Sequence, residues 1–188
     1  MGPRVDFYTS NPGKVRELQA VLAPMGYSVR WRKEELTEPQ ADTLEKVAAF
    51  KLLNVPDSVV PVIVEDSGLF IRSLGGFPGV YSAYVLRTLG LPGVLRLVRG
   101  PDRTAEFRAV VGYRAGGVTH LFSGRVRGSI APRSRGKNGF GYDPIFIPEG
   151  HQRTTGEMAP EEKNRLSHRG IAARKLGQWL ARHPASPD

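Results

Sequence analysis

TSNPGKVREL, Thr9 to Leu18, follows the apolar-leaning run Val5 to Tyr8 and decides how the chain opens. Pro12 fixes its own φ and Gly13 tolerates angles closed to other residues, so a tight turn is expected after a strand. A helix is expected at once. Val15, Leu18, Val21 and Leu22 recur at helical spacing until Pro24 stops the pattern, and Lys14 stands in the first turn. Such a turn delivers backbone N–H groups and one lysine to a helix N-terminus, a seat for an anion. The same turn also occurs in α/β proteins that bind nothing there. It is no Walker A loop: Val15 follows Gly13-Lys14, and no glycine stands five residues before Gly13.

Outward from that turn, Tyr27 to Trp31 reads as a second strand. The acidic segment KEELTEPQAD leads to a helix from about Thr43 to Leu53, capped by Asp42 or Thr43, with Leu44, Val47, Ala48 and Leu52 on one face. Val62, Ile63 and Val64 run continuously apolar, as in a strand buried on both faces. Ser67-Gly68 is expected to turn the chain there, leaving Glu65 and Asp66 at a sheet end. The turn-rich run SGLFIRSLGGFPGVYS precedes two short helical patterns, Ala83 to Leu89 and Gly93 to Val98.

From Thr104 to Ile130 the period changes to two, with Phe107, Ala109, Val111 and Tyr113, then Ala-Gly-Gly, then Val118 to Val126: a β-hairpin. A glycine-rich loop, RGKNGFGYDP, enters a short strand, Ile145 to Ile147, and a helical segment closes the chain from Pro160 to Ala181. The expectation is a single mixed α/β domain over 1–182 with an antiparallel lobe, and a frayed tail over 183–188.

The 188 residues suffice for one core, and the absence of cysteine excludes disulfides, thiolate metal sites and cysteine nucleophiles. MGPRVDFYTS holds no apolar run of signal or membrane length, so a soluble, cytoplasmic protein without membrane partners is expected. The 27 basic against 18 acidic residues leave +9, which suits an anionic partner and raises nucleic acid as one class.

Three constellations can carry chemistry. Glu65 and Asp66 are adjacent, and strand alternation lets only one face a given crevice; a hard cation such as Mg²⁺ wants carboxylates plus substrate phosphates, and Glu38 can supply the second. Phe140 and Tyr142 stand beside glycines, where a flat ligand can reach a ring, and Pro144 biases Asp143 towards an extended conformation. In PEEKNRLSHRG, Lys163, His168 and Arg169 would fan out around one unbroken helix. A break is therefore predicted, with Ser167 capping a new helix that brings the three side chains together.

In the order TSNPGKVREL, VEDSGL, LGGFPGVYSA, GKNGFGYDPIF and EEKNRLSHRG, these segments resemble the inosine triphosphate pyrophosphatase family, which removes nonstandard purine nucleotides. The resemblance covers almost the whole chain. It implies a long mixed sheet flanked by helices, two lobes with a cleft between them, a homodimer, and Mg²⁺-dependent hydrolysis of ITP, dITP and XTP to monophosphate and pyrophosphate. It places the triphosphate on Thr9, Ser10, Asn11, Pro12, Gly13 and Lys14, and the metal on Asp66 and Glu38, with Asp66 as general base. Lys46 and Ser67 would touch the nucleotide. Phe140, Gly141, Tyr142 and Asp143 would hold the base, with Phe140 stacking, and Lys163, His168 and Arg169 would complete its pocket. Tyr84 stands where many members carry Arg or Lys after PG-x-Y-S-A, and Arg87 is a candidate replacement. A nucleic-acid-binding module has no use for Asp66 and Glu38, which repel phosphate without a metal, so nucleic acid is not the expected partner. Related pyrophosphatases of pyrimidine or methylated nucleotides are the enzymatic rival.

Overall fold

The structure, a computed structural model, describes residues 3–183; the expected frayed tail lies outside the described residues from 184 onward. In chain order the elements are β1 (Arg4–Tyr8), α1 (Pro12–Leu22), β2 (Ser28–Arg32), α2 (Leu44–Asn54), β3 (Val62–Ile71), α3 (Ser82–Leu97), β4 (Thr104–Ala115), β5 (Val118–Ile130), β6 (Phe146–Pro148), α4 (Pro160–Leu166) and α5 (His168–Arg182). One six-stranded sheet has the order β2-β1-β3-β4-β5-β6. β1 runs parallel to β2 and β3, and every pairing from β3 to β6 is antiparallel. This is the expected mixed sheet flanked by helices. The hairpin turns at Gly116 and Gly117, whose φ of 54° and 77° meet the left-handed demand of a two-residue connection. The two short helical patterns are the halves of α3, broken at Gly90 (φ 62°, ψ 178°) just before Pro92.

Two expectations are corrected. Asp143 is not extended before Pro144 but opens a single 3-10 turn, Asp143–Ile145. Ser67-Gly68 does not turn the chain; β3 continues through both to Ile71, held in unbroken register by β4 from Val62↔Arg114 to Ile71↔Ala105. Gly68 serves closeness instead, since a Cβ there would stand 2.2 Å from the Gly79 carbonyl oxygen. Glu65 and Asp66 are thus mid-strand, yet they still mark an end. β1 pairs with β3 only at Asp6↔Val62 and Phe7↔Ile63 before it departs into α1, so beyond that point one edge of β3 is open.

Alternation along β3 then separates two faces. On one, Ile63 joins the core formed with α1 and α5, while Leu69 and Ile71 join a second core with α3 and residues 142–146. Between those cores the same face presents Glu65 and Ser67. On the other face Val62 and Val64 pack under α2, and Asp66 comes next. The cleft opens where this polar triplet interrupts an otherwise apolar strand.

The helix break is present as predicted. Ser167 sits at φ −71°, ψ 150° between α4 and α5, and its hydroxyl accepts from Gly170 N at 2.9 Å. Ser167→Ala should therefore cost about 1 kcal/mol, a fall in melting temperature of roughly 2–4 °C for a chain of this size, read by thermal denaturation. An unchanged melting temperature would show that the cap is dispensable.

Candidate active site

Asn11 is the N-cap of α1: its Oδ1 accepts from Gly13 N at 2.8 Å and Lys14 N at 3.3 Å, while Val15 N donates to Asn11 O. The first-turn N–H groups are consequently engaged by the turn itself, and Pro12 has none. That corrects the reading of the turn as a row of free N–H donors. What it offers an anion is the Lys14 ammonium, the Thr9 and Ser10 hydroxyls and the helix dipole. Gly13 is also explained differently from expectation. It is helical, and a Cβ there would stand 2.5 Å from the Phe140 ring, so its smallness seats the glycine-rich loop against α1.

Lys14 Nζ reaches across the open edge of β3, donating to Glu65 O at 3.2 Å and standing 2.8 Å from Glu65 Oε2. The two neighbouring acids face opposite ways. Glu65 lies with Lys14 and Arg169, whereas Asp66 Oδ2 lies 2.7 Å from Lys51 Nζ, which also donates to Glu38 Oε1 at 2.5 Å. Lys51 thus brings Glu38 and Asp66 around one ammonium. Asp66 Oδ2 is buried and no group is aligned to hydrogen-bond it. No cluster of three or more His, Cys, Asp or Glu capable of holding a metal exists among the described residues. Two carboxylates drawn around one ammonium suit Mg²⁺ completed by substrate phosphates and water.

Lys46 does not converge with them; its ammonium pairs with Asp42 at 3.2 Å on the exposed start of α2. Lys51, five residues on, is the lysine of α2 that reaches the acids. Its signal was a lysine inside the apolar face of that helix, between Ala48 and Leu52. Arg87 lies over the exposed Tyr84 ring at 5.6 Å, away from the pocket lining.

The pocket beside the edge is lined by Asn11, Lys14, Ser67, Phe140, Gly141, Tyr142, Asp143, Lys163, His168 and Arg169, together with Leu86 and Phe107 among its apolar walls. Phe140 is half-buried there, with Lys163 Nζ 4.7 Å and Arg169 Cζ 5.3 Å from its ring centre. Tyr142, which lines the pocket, also anchors the loop, for its ring belongs to the core and its hydroxyl donates to Ser82 O at 2.8 Å. Asp143 fixes the loop too, accepting from Phe140 N at 2.7 Å, Thr155 Oγ1 at 2.9 Å and Lys163. His168 lies flat on Phe107 with ring centres 4.6 Å apart.

Charge settles the roles. Burial opposes ionisation of Glu65, but Arg169 and then Lys14 outweigh it and hold the carboxyl at about 2 rather than 4.5. Asp66 is the opposite case: burial raises it above 3.8, and Lys14 and Lys51 offset that only in part. Burial, reinforced by the Arg169 charge, pushes His168 well below 6.5, so its imidazole is neutral at pH 7. Glu17 went unnoticed in the sequence, one residue before the core Leu18. It is buried on α1, and although burial raises its pKa, Arg169 and Lys163 bring it below 4.5.

These directions make a pH prediction. Glu65 has a depressed folded-state pKa, so its stabilisation is complete above about 4.5 and disappears as pH falls towards about 2. The melting-temperature gap between wild type and Glu65→Gln should be widest above pH 4.5 and close towards pH 2. A gap independent of pH would contradict it.

Fold and cleft define an α/β protein that presents the Lys14 turn to a carboxylate pair, beside a pocket walled by Phe140, Phe107 and Leu86. The chain belongs to the Ham1 family, whose model matches residues 5–179. It is 51% identical to the dITP/XTP pyrophosphatase of Thermococcus kodakarensis, with 94% of this chain and 97% of that protein aligned, and 50% identical to that of Pyrococcus horikoshii, with 94% and 96%. Among solved structures it resembles the Ham1 protein of Staphylococcus aureus (TM-score 0.81, 30% identity, 96% of this chain and 99% of the other). The HAM1 protein of Coxiella burnetii is as similar (TM-score 0.82, 31% identity, 96% and 99%).

Proposed function

We propose that this protein hydrolyses nonstandard purine nucleoside triphosphates, dITP, ITP and XTP, to the monophosphate and pyrophosphate, and so clears deaminated purines from the nucleotide pool. The observation that carries the reading is the meeting, at one open strand edge, of the Lys14 turn, the Asp66–Lys51–Glu38 group and the Phe140 pocket. The relatives named as dITP/XTP pyrophosphatases support it.

In this reading Thr9, Ser10, Asn11, Pro12, Gly13 and Lys14 cradle the triphosphate, with Lys14 carrying the charge. Asp66 and Glu38 would hold Mg²⁺, which when bound would supply charge neutralisation at the phosphate oxygens and a more acidic water. Asp66 takes the proton of the water that attacks the α-phosphorus, a task suited to a carboxylate whose pKa is raised by burial. Lys14 and Lys51 stabilise the charge that accumulates on departing pyrophosphate. Ser67 and the loop from Phe140 to Asp143 bound the nucleoside, Phe140 stacks on the base, and Lys163, His168 and Arg169 close the pocket. The working unit is one two-lobed domain over 1–182, acting as a homodimer in the cytoplasm; among the described residues no helix is long and apolar enough to cross a membrane.

Incubation with Mg²⁺ and, separately, dITP, XTP, dUTP, GTP and ATP tests this. Monophosphate and pyrophosphate from dITP and XTP, with GTP and ATP nearly untouched, is the expected result. Equal turnover of all five would remove the base pocket from the account, and dUTP as the preferred substrate would favour the pyrimidine-directed relatives.

A further inference from the structure

The turn proposed to seat the triphosphate is held from a strand that supplies none of its residues. β2 pairs with β1 in the register Phe7↔Trp31 and Tyr8↔Arg32, and its last two residues hold Thr9 by both backbone groups. Thr9 N–H donates to Arg32 O at 3.1 Å, and the Trp31 indole Nε1 donates to Thr9 O at 2.8 Å. Arg32 is itself tied down, its Nε donating to Oδ2 of the buried Asp6 at 2.8 Å. The indole has little other work, for Trp31 is 40% exposed on an edge strand. Within the turn the remaining backbone donors are taken. Asn11 N–H goes to Thr9 Oγ1 at 3.1 Å, Gly13 and Lys14 N–H go to Asn11 Oδ1, Val15 N–H goes to Asn11 O, and Pro12 has none. From Thr9 to Val15, Ser10 N–H alone has no partner among the described residues.

A trans peptide is planar, with its C=O and N–H pointing opposite ways, and the bond from Thr9 to Ser10 is trans. The carbonyl that Trp31 holds and the Ser10 N–H belong to that one plane, so the indole that fixes the first also aims the second. We propose that Trp31 is a positioning residue for the triphosphate: by anchoring Thr9 O it directs Ser10 N–H, the turn's one uncommitted backbone donor, at a phosphate oxygen. A hydrogen bond to an ionised oxygen is strong only when the donor is aligned with it. Without the indole N–H, Thr9 O turns to water at little cost to the fold, the peptide plane is free to rock, and the phosphate loses an aligned donor.

This inference rests on the proposed function, and its test separates the two. The dissociation constant of inorganic tripolyphosphate with Mg²⁺ is measured by calorimetry for wild type, Trp31→Phe and Trp31→Gln, together with kcat and KM for dITP and dATP and each melting temperature. Failure of the wild type to release pyrophosphate from dITP would overturn the functional reading, while tripolyphosphate binding would still report on Trp31; a wild type that binds no tripolyphosphate would overturn both. Phenylalanine keeps a ring and loses the donor. Glutamine loses the ring but carries an amide N–H the same number of bonds from Cβ as the indole N–H. Trp31→Phe should raise the dissociation constant and the KM for dITP by about threefold or more, with kcat within about twofold, and Trp31→Gln should stay within about twofold of wild type throughout. The dITP/dATP ratio of kcat/KM and the melting temperature should hold in both, because the anchor acts on the phosphate side alone. A ring that merely packs gives the reverse order, Trp31→Phe like wild type and Trp31→Gln impaired. That order, or a smaller rise in Trp31→Phe, would overturn the proposal. If Trp31→Phe does not fold, Trp31→Gln decides alone: tripolyphosphate binding within about twofold of wild type supports the role, and weaker binding refutes it.

Discussion

Asp66→Asn is expected to lower kcat by about 10²–10⁴-fold, the usual contribution of a positioned base, while the melting temperature stays level or rises slightly. The second half follows from the direction of its pKa. Burial makes the ionised form of Asp66 costly in the folded protein, and Lys51 keeps Glu38 when it loses Asp66, so a neutral amide of the same shape is tolerated. Glu65, one residue earlier, behaves oppositely: its charge is held by Arg169 and Lys14, and neutralising it leaves the buried Arg169 and the partly buried Lys14 short of a partner. Adjacent carboxylates of β3 therefore separate into one that works and one that holds. Kinetics and thermal denaturation of the two variants side by side check this; a stable Glu65→Gln with an unstable Asp66→Asn would reverse the assignment.

Gly124→Ala should damage stability and activity together, although Gly124 lies on β5 and outside the pocket lining. α5 begins directly on that strand: a Cβ at Gly124 would stand 2.0 Å from His168 O and 2.8 Å from Ala172 N, both backbone atoms. Neither can turn aside, so the first turn of α5 must lift. Overpacking of this kind costs about 1–3 kcal/mol, a drop of roughly 2–12 °C in melting temperature. The lifted turn carries His168 and Arg169, and a displacement on the order of 1 Å at a substrate-positioning group can cost about 10²-fold in rate. Ser123→Ala, at the exposed neighbour, should change neither. Full activity in Gly124→Ala would show that the placement of Arg169 tolerates movement.

Much of this arrangement was legible in the sequence because it rests on short-range rules. Proline and glycine located the turns, alternation located the hairpin and the opposed acids, and helical geometry demanded the break that Ser167 caps. What was not legible depends on distant partners. β3 passes through Ser67-Gly68 because β4 holds it, a fact with no local sign. Gly13 and Gly124 are glycines because Phe140 and α5 approach them, not because their backbones need unusual angles. Lys51 and Glu17 stood within apolar helical faces and read as helix composition; only the fold brings Lys51 to Glu38 and Asp66, and Glu17 to Lys163 and Arg169. Lys46 fitted a motif position, yet its place on α2 turns it towards Asp42 and solvent.

Hydrolysis of dITP in oxygen-18 water, with mass analysis of both products, tests the central claim most directly. Water activated beside Asp66 and directed at the α-phosphorus leaves the label in the nucleoside monophosphate and none in pyrophosphate. Label in pyrophosphate, or release of labelled orthophosphate, would place the attack at another phosphorus and contradict the arrangement of Lys14, Asp66 and Lys51 proposed for the leaving pyrophosphate.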